Sequence, residues 1–175
     1  MFHVILYQPQ IPPNTGNIIR LCANTGCRLH LVEPLGFELD EASVRRACLD
    51  YAELAVLRRY PNLAACLAQL PDARIFAVET GAGACYSGLK YRAGDAFLFG
   101  PETRGLPAEL LQQLPIGRHI RIPMRDGNRS LNLGNAVAVV AYEAWRQCGF
   151  AGAIEPETAS HQAVGSSLYR IRNNS

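Results

Sequence analysis

The 175-residue sequence has a single lysine, Lys90, although lysine and arginine together number 17. It also has only one tryptophan and two methionines, and it contains no apolar run of about 18 residues, the length that a membrane-spanning helix needs. The opening residues MFHVILYQPQ lack the basic region and the small-residue cleavage site of a secretory signal. We therefore expect a soluble, cytoplasmic protein with no membrane association.

The six cysteines include no pair in the C-x-x-C spacing that is typical of zinc sites and redox centres. Most of them lie in apolar segments, where cysteine behaves as a small hydrophobic residue. We expect neither a disulfide nor a bound metal.

The basic residues are almost all arginine, and the net charge is only +2. The planar guanidinium suits contacts with phosphate and ribose, which favours a nucleic-acid partner. Biased codon usage explains the same composition equally well, since alanine, glycine and arginine are abundant together.

Predicted strands and helices alternate along the first 150 residues, which favours an α/β domain whose parallel sheet is flanked by helices. Strands are predicted at 3–9, 29–34, 54–60, 74–80, 95–100 and 118–124, and helices at 14–26, 40–50, 62–70, 107–114 and 133–148. Residues 1–150 are therefore expected to form one domain. The small and polar residues of 151–175 predict a flexible C-terminal tail.

The carboxyl ends of the strands are where an open α/β sheet binds its ligand, and one of these ends reads FLFGPETRGLP. Pro101 ends the strand, while Gly100 and Gly105 permit unusual backbone angles and close approach of a ligand. This segment predicts a ligand-binding turn. Alternatively, Glu102 and Arg104 pair only with each other or with solvent.

Two further loops have unusual compositions. AVETGAGACYSG contains three glycines, but their spacing does not match a dinucleotide-binding fingerprint, so the loop is either a flexible turn or a backbone wall against a flat ligand. RIPMRDGNRSLNLGN, together with Arg118 just before it, has four arginines (Arg118, Arg121, Arg125 and Arg129), and it contains Ser130, Asn132 and Asn135. Capping of the next helix explains one of these three polar residues but not all of them.

The segment PQIPPNTGNIIR contributes Asn14, which we expect to cap the first helix, and Arg20. Arg20 is either a surface arginine or a charged group that faces the ligand crevice. Arg45, Arg46, Arg58 and Arg59 either form a phosphate track or lie on solvated faces.

Several motifs occur in one order along the domain: IPPNTGNIIRLCANTG, LDY, FGPETRGLP, RIPM, RSLNL and NAVAVVAYEAWRQ. Together they resemble the SPOUT superfamily of RNA methyltransferases. The resemblance is greatest to the small tRNA (cytidine/uridine) 2'-O-methyltransferases that act on the wobble nucleotide of the anticodon loop. It covers residues 1–150 and leaves out the tail.

The resemblance implies a SPOUT fold with a C-terminal trefoil knot, a homodimer, and S-adenosylmethionine as the cofactor. The cofactor would be held near Val78, Gly100, Ile122, Ser130 and Leu131. The resemblance assigns the catalytic machinery to Arg20, Asn14, Glu102 and Asn132, with Glu102 pairing with an arginine or favouring the sulfonium. It assigns tRNA contacts to Arg129 and Tyr142, although Tyr142 suits a core or dimer-interface position equally well.

The sequence departs from these relatives at Gly134, where they commonly carry serine. Three other functions stay open at this point. They are methylation of ribosomal RNA or of another tRNA position, RNA binding without catalysis, and a nucleotide-dependent oxidoreductase, which the glycine spacing disfavours.

Overall fold

The computed structural model describes residues 1–38, 56–128 and 130–154. Seven strands run through this part of the chain: β1 (His3–Tyr7), β2 (Arg28–Val32), β3 (Leu57–Tyr60), β4 (Ile75–Val78), β5 (Ala84–Cys85), β6 (Ala96–Phe99) and β7 (His119–Arg121). Four α-helices accompany them: α1 (Pro12–Thr25), α2 (Leu63–Leu67), α3 (Ala108–Gln112) and α4 (Leu133–Gln147). The predicted helix at 40–50, with Arg45 and Arg46, lies outside the described residues, and so do Arg129 and residues 155–175.

The strands form one sheet in the order β3-β2-β1-β6-β4-β7-β5, and every pairing is parallel. The parallel α/β sheet predicted from the alternation of elements is therefore confirmed. The two-residue strand β5 was not predicted, because a strand this short has no detectable alternation. It pairs with β7 at the edge of the sheet, where Ala84 lies opposite Ile120.

The sheet is buried on both faces, as parallel sheets usually are. On one face α1 and α4 pack against each other and over strand residues such as Leu6, Leu29 and Phe97. The other face carries Ile5, Ala77 and Leu98, with α2 and α3 covering them. The last helix presents an apolar stripe to the sheet, since its valines and alanines at 137, 140, 141 and 144 are buried.

Helix α1 begins two residues earlier than predicted, at Pro12, because proline tolerates the first helical turn. Its N-cap residue is Ile11, and no side chain caps the helix. The prediction that Asn14 caps this helix is therefore wrong. Asn14 lies inside the first turn and is buried, which frees its amide for the contacts described below.

None of the described helices is long and apolar enough to cross a membrane. Within the described residues the cysteines are free thiols, and Cys22, Cys27 and Cys66 are buried. No group of three or more His, Cys, Asp or Glu side chains in these same residues is arranged to hold a metal ion.

Candidate functional site

A cavity of about 500 Å³ opens at the carboxyl ends of β4, β6 and β7. The start of α1 and the segment before α4 complete its walls. Eight of the predicted site residues line this one cavity: Val78, Gly100, Ile122, Ser130, Leu131, Asn14, Glu102 and Asn132. These residues come from five separate segments of the chain, so it is the parallel topology that brings them together.

The absent side chain of Gly100 makes room for the protein's own loop. A Cβ atom at position 100 would lie 2.3 Å from the carbonyl carbon of Gly105 and 2.4 Å from the nitrogen of Leu106. The loop after β6 therefore returns across Gly100. The space that the missing side chain leaves is filled by this loop and not, as expected, by a ligand. Gly105 has a φ of +68°, so the unusual backbone angle predicted for it is confirmed.

Glu102 attaches this loop to the start of α1. Its Oε2 accepts a hydrogen bond from the backbone nitrogen of Gln10 (2.8 Å). Its Oε1 accepts from the backbone nitrogen of Ile11 (3.2 Å) and from Nδ2 of Asn14 (3.0 Å). The expected pairing of Glu102 with an arginine is absent from the described part of the chain. Arg104 instead donates to Oε1 of Gln8 (3.0 Å).

Asn14 continues this network to the last helix. Nδ2 of Asn132 donates to Oδ1 of Asn14 (2.9 Å), while Oδ1 of Asn132 accepts from the backbone nitrogens of Gly134 (2.9 Å) and Asn135 (3.4 Å). Asn132 therefore caps α4 and also contacts the first helix. The chain of hydrogen bonds from Glu102 through Asn14 to Asn132 fixes three walls of the cavity relative to one another.

Gly134 lies where α4 meets α1. A Cβ atom there would lie 3.2 Å from Oδ1 of Asn132 and 3.9 Å from Cβ of Asn17. A serine side chain at this position would therefore sit beside the cap and against α1, not within the core.

Arg20 and Tyr142 do not line the cavity. Arg20 is exposed on α1, and its six-residue separation from Asn14 turns it about 120° around the helix axis from that residue. Tyr142 is 45% exposed on α4, with its ring centroid 5.8 Å from that of Trp145. Arg129 lies outside the described residues.

Glu79 and Thr80 line the cavity, although sequence reasoning did not select them. Glu79 follows β4 directly, and its Oε1 accepts a hydrogen bond from the backbone nitrogen of Leu106 (2.7 Å). Burial raises the pKa of the Glu79 carboxyl, and the Leu106 hydrogen bond and the nearby His119 oppose that rise. A carboxylate directly after a buried strand was the feature of the sequence that could have identified Glu79. The prediction for this loop rested instead on its glycines.

Comparison with known proteins gives a consistent result. The SpoU rRNA Methylase family model matches residues 1–142. A tRNA (cytidine(34)-2'-O)-methyltransferase from Aeromonas hydrophila is 56% identical over 155 residues, which is 89% of this chain and 99% of that protein.

Two solved structures share the fold. One, from a study of 2-OH methylation of C/U34 on tRNA, has a TM-score of 0.78 and 47% identity, and the match covers 85% of this chain and 97% of that one. An AdoMet-bound rRNA methyltransferase from Sinorhizobium meliloti has a TM-score of 0.71 and 26% identity, and the match covers 83% of this chain and 56% of that one.

Proposed function

The chain belongs to the SpoU rRNA methylase family, and on that premise we propose that it transfers a methyl group from S-adenosylmethionine to a ribose 2'-hydroxyl of tRNA. The acceptor is the wobble nucleotide, a cytidine or a 5-modified uridine. The observation that carries this proposal is the single cavity that holds eight of the expected site residues, in a chain 56% identical to a tRNA (cytidine(34)-2'-O)-methyltransferase.

The residues of the cavity fit the cofactor. A volume of about 500 Å³ lies within the range of small-molecule sites. Val78, Ile122 and Leu131 offer apolar walls for an adenine ring, and each lies at or near the end of a strand or in a loop, where main-chain polar groups are not all used by the sheet. Gly100 and Ser130 complete this part of the proposed cofactor site.

S-adenosylmethionine, when bound, supplies a methyl group already activated by a positively charged sulfur, so the proposed reaction needs no metal. The protein must align the ribose oxygen with that methyl group, exclude water and accept a proton. We propose that Asn14, Glu102 and Asn132 act as positioning residues, since their polar atoms bond to one another and to the backbone.

Arg20 is the proposed catalytic residue. An arginine guanidinium keeps its proton in proteins and is therefore a poor base. It is suited instead to holding the adjacent phosphate and to stabilising negative charge on the ribose oxygen, while the proton leaves to phosphate or water. Arg129 and Tyr142 are proposed to contact the tRNA.

We propose that the protein works as a homodimer with α1 and α4 at the interface. Arg20 turns away from its own cavity, so a second subunit is needed to bring it to a cofactor. The exposed Tyr142 on α4 and the exposed Ile11 beside α1 supply apolar surface for such a contact. A C-terminal trefoil knot and a cytoplasmic location, where tRNA is found, complete the proposal.

The direct experiment incubates the protein with tritiated S-adenosylmethionine and tRNA that lacks wobble methylation, and then maps the label. We expect label in a 2'-O-methylated pyrimidine at the wobble position. A tRNA with 2'-deoxyribose at that nucleotide is the matched control and should stay unlabelled. Label in ribosomal RNA alone, or at another tRNA position, would contradict the proposed substrate.

Arg20→Ala should lower kcat by about 100-fold or more, because charge on the transferring oxygen loses its stabilisation. Binding of S-adenosylmethionine, measured by calorimetry, should be unchanged. Arg92→Ala is the matched control, since Arg92 is also an exposed arginine but lies away from the cavity. Loss of cofactor binding in the Arg20 variant would refute its assignment as the catalytic residue.

A further inference from the structure

One carboxylate oxygen of Glu79 accepts no hydrogen bond from the described part of the chain. Oε1 accepts the hydrogen bond from Leu106, but within residues 1–38, 56–128 and 130–154 no donor bonds to Oε2. Oε2 lies beside Gly105, 3.0 Å from where a Cβ atom of that glycine would be. Since both residues line the cavity, this oxygen is available to whatever occupies it.

The other carboxylate of the cavity differs in this respect. Glu102 accepts three hydrogen bonds from the start of α1, and N–H donors of this kind stabilise its negative charge. Arg104 is the only cationic side chain among the described residues that line the cavity, and it bonds to Gln8. Of the two carboxylates that the described residues place in the cavity, Glu79 is therefore the less compensated.

We propose that Glu79 makes the cavity selective for the charged methyl donor over its uncharged-sulfur product. This inference rests on the proposed function. S-adenosylmethionine and S-adenosylhomocysteine share adenosine, an ammonium and a carboxylate, and they differ by the methyl group and by the positive charge on sulfur. A carboxylate in the cavity attracts the donor more strongly than the product, because transfer of the methyl group removes the positive charge from sulfur.

The size of the cavity makes this selectivity independent of one particular contact. A volume of 500 Å³ is about 10 Å across, so no ligand atom inside lies far from the carboxylate. In a partly buried site a unit charge at such a distance changes affinity by roughly tenfold. His119 is the other titratable group that acts on Glu79.

The test measures the dissociation constants of both ligands by calorimetry for the wild-type protein and for Glu79→Gln. The glutamine keeps a carbonyl oxygen for the Leu106 hydrogen bond and removes only the charge. We expect the variant to lose roughly tenfold in affinity for S-adenosylmethionine and little for S-adenosylhomocysteine. Inhibition by the product should become correspondingly stronger relative to the donor.

Two further variants complete the design. Glu109→Gln removes the same charge from an exposed position on α3 outside the cavity and should leave both affinities unchanged. Glu79→Asp keeps the charge and should keep the selectivity, even where the shorter side chain loses its bond to Leu106. It also keeps the test decisive if the glutamine variant folds poorly.

The inference is overturned if Glu79→Gln weakens both ligands equally, because the carboxylate then contacts a part that they share. It is also overturned if neither affinity changes. Wild-type protein that binds neither ligand would instead overturn the proposed function itself.

Discussion

At the scale of single residues, Gly100 is the position where the cavity tolerates least change. Gly100→Ala places a methyl group 2.3 Å from the backbone of Gly105, so the loop must move. We expect a loss of roughly 2–3 kcal/mol in the free energy of unfolding and loss of cofactor binding. Urea unfolding and calorimetry measure the two effects.

The matched control for this change is Gly117→Ala, since a Cβ atom there meets nothing within 4 Å. It should change stability by less than about 0.5 kcal/mol and leave cofactor affinity intact. An alanine at position 100 that binds the cofactor as the wild type does would show that the loop does not need to cross that residue.

Protonation of His30, on β2, makes the stability of the fold depend on pH. Its ring lies between His3 and Tyr60, at 2.9 Å from Nδ1 of His3 and 3.1 Å from the hydroxyl of Tyr60. Burial lowers the pKa of His30 to about 4, with the charges of His3, Arg28 and Arg58 adding to the effect. His30 is therefore neutral in the folded protein across a pH range where the unfolded chain binds a proton.

Between about pH 6.5, the usual histidine pKa, and pH 4 the unfolded state holds more protons at this site than the folded state does. Stability contributed by the neutral ring is therefore present above pH 6.5 and is lost as the pH falls toward 4. We expect His30→Asn to show a shallower fall in unfolding free energy over this window. Equal slopes for variant and wild type, in urea titrations at several pH values, would contradict this prediction.

At the scale of elements, Asn132 connects the last helix to the first. Asn132→Ala removes the cap of α4 and leaves Oδ1 of the buried Asn14 without its donor. A lost cap costs about 1 kcal/mol, and a buried unsatisfied group costs a further 1–3 kcal/mol or so. We expect a total loss of roughly 2–4 kcal/mol in the free energy of unfolding, measured by urea unfolding.

Asn132→Asp separates the two effects. An aspartate still accepts from the nitrogens of Gly134 and Asn135 and so keeps the cap, but it presents no N–H to Asn14. If the contact with Asn14 matters for the site, Asn132→Asp should be nearly as low in activity as Asn132→Ala. Full activity with aspartate would assign the role of Asn132 to capping alone.

The sequence predicted the elements of this fold well, and their contacts less well. Alternating and 3.6-residue patterns identified the six longer strands and α1 to α4, since burial imposes those periods locally. The missed strand β5 and the misplaced start of α1 lack such a period. The hydrogen bond between Asn14 and Asn132 joins residues 118 positions apart, and no local pattern reports it.

The resemblance to known sequences located the cavity residues, but the physical role of several emerged only in three dimensions. Glu102 accepts hydrogen bonds from the start of α1, where pairing with an arginine had been expected. Gly100 makes room for its own loop. Both facts depend on how the loop after β6 folds back. Composition and spacing within FLFGPETRGLP do not contain that geometry.

At the scale of the whole molecule, the exposed position of Arg20 leads us to predict that two subunits can complement each other's variants. If Arg20 acts in the cavity of a partner, two differently inactivated chains restore one working site when they are mixed. One chain carries Arg20→Ala. The other carries Leu131→Trp, which fills the cavity from a residue that is 41% exposed.

Each variant alone should be inactive, and the refolded mixture should recover roughly a quarter of wild-type activity, as random pairing of a C2 dimer gives. Sedimentation measures the dimer directly. A mixture as inactive as its components would place Arg20 in the cavity of its own chain. A monomer at working concentration would contradict the dimer.

The hydrogen-bond chain through Asn14 joins residues that the ribosome synthesises at widely separated times. Asn14 leaves the ribosome before Glu102, 88 positions later, and before Asn132, 118 positions later. At 5–20 residues per second, Asn132 follows Asn14 by roughly 6–24 s. Strands β1, β2 and β3 are adjacent in the sheet and have all been synthesised early in this interval. The cavity is therefore completed only once Asn132 has been synthesised, and a nascent chain halted before that residue lacks one of the cavity walls.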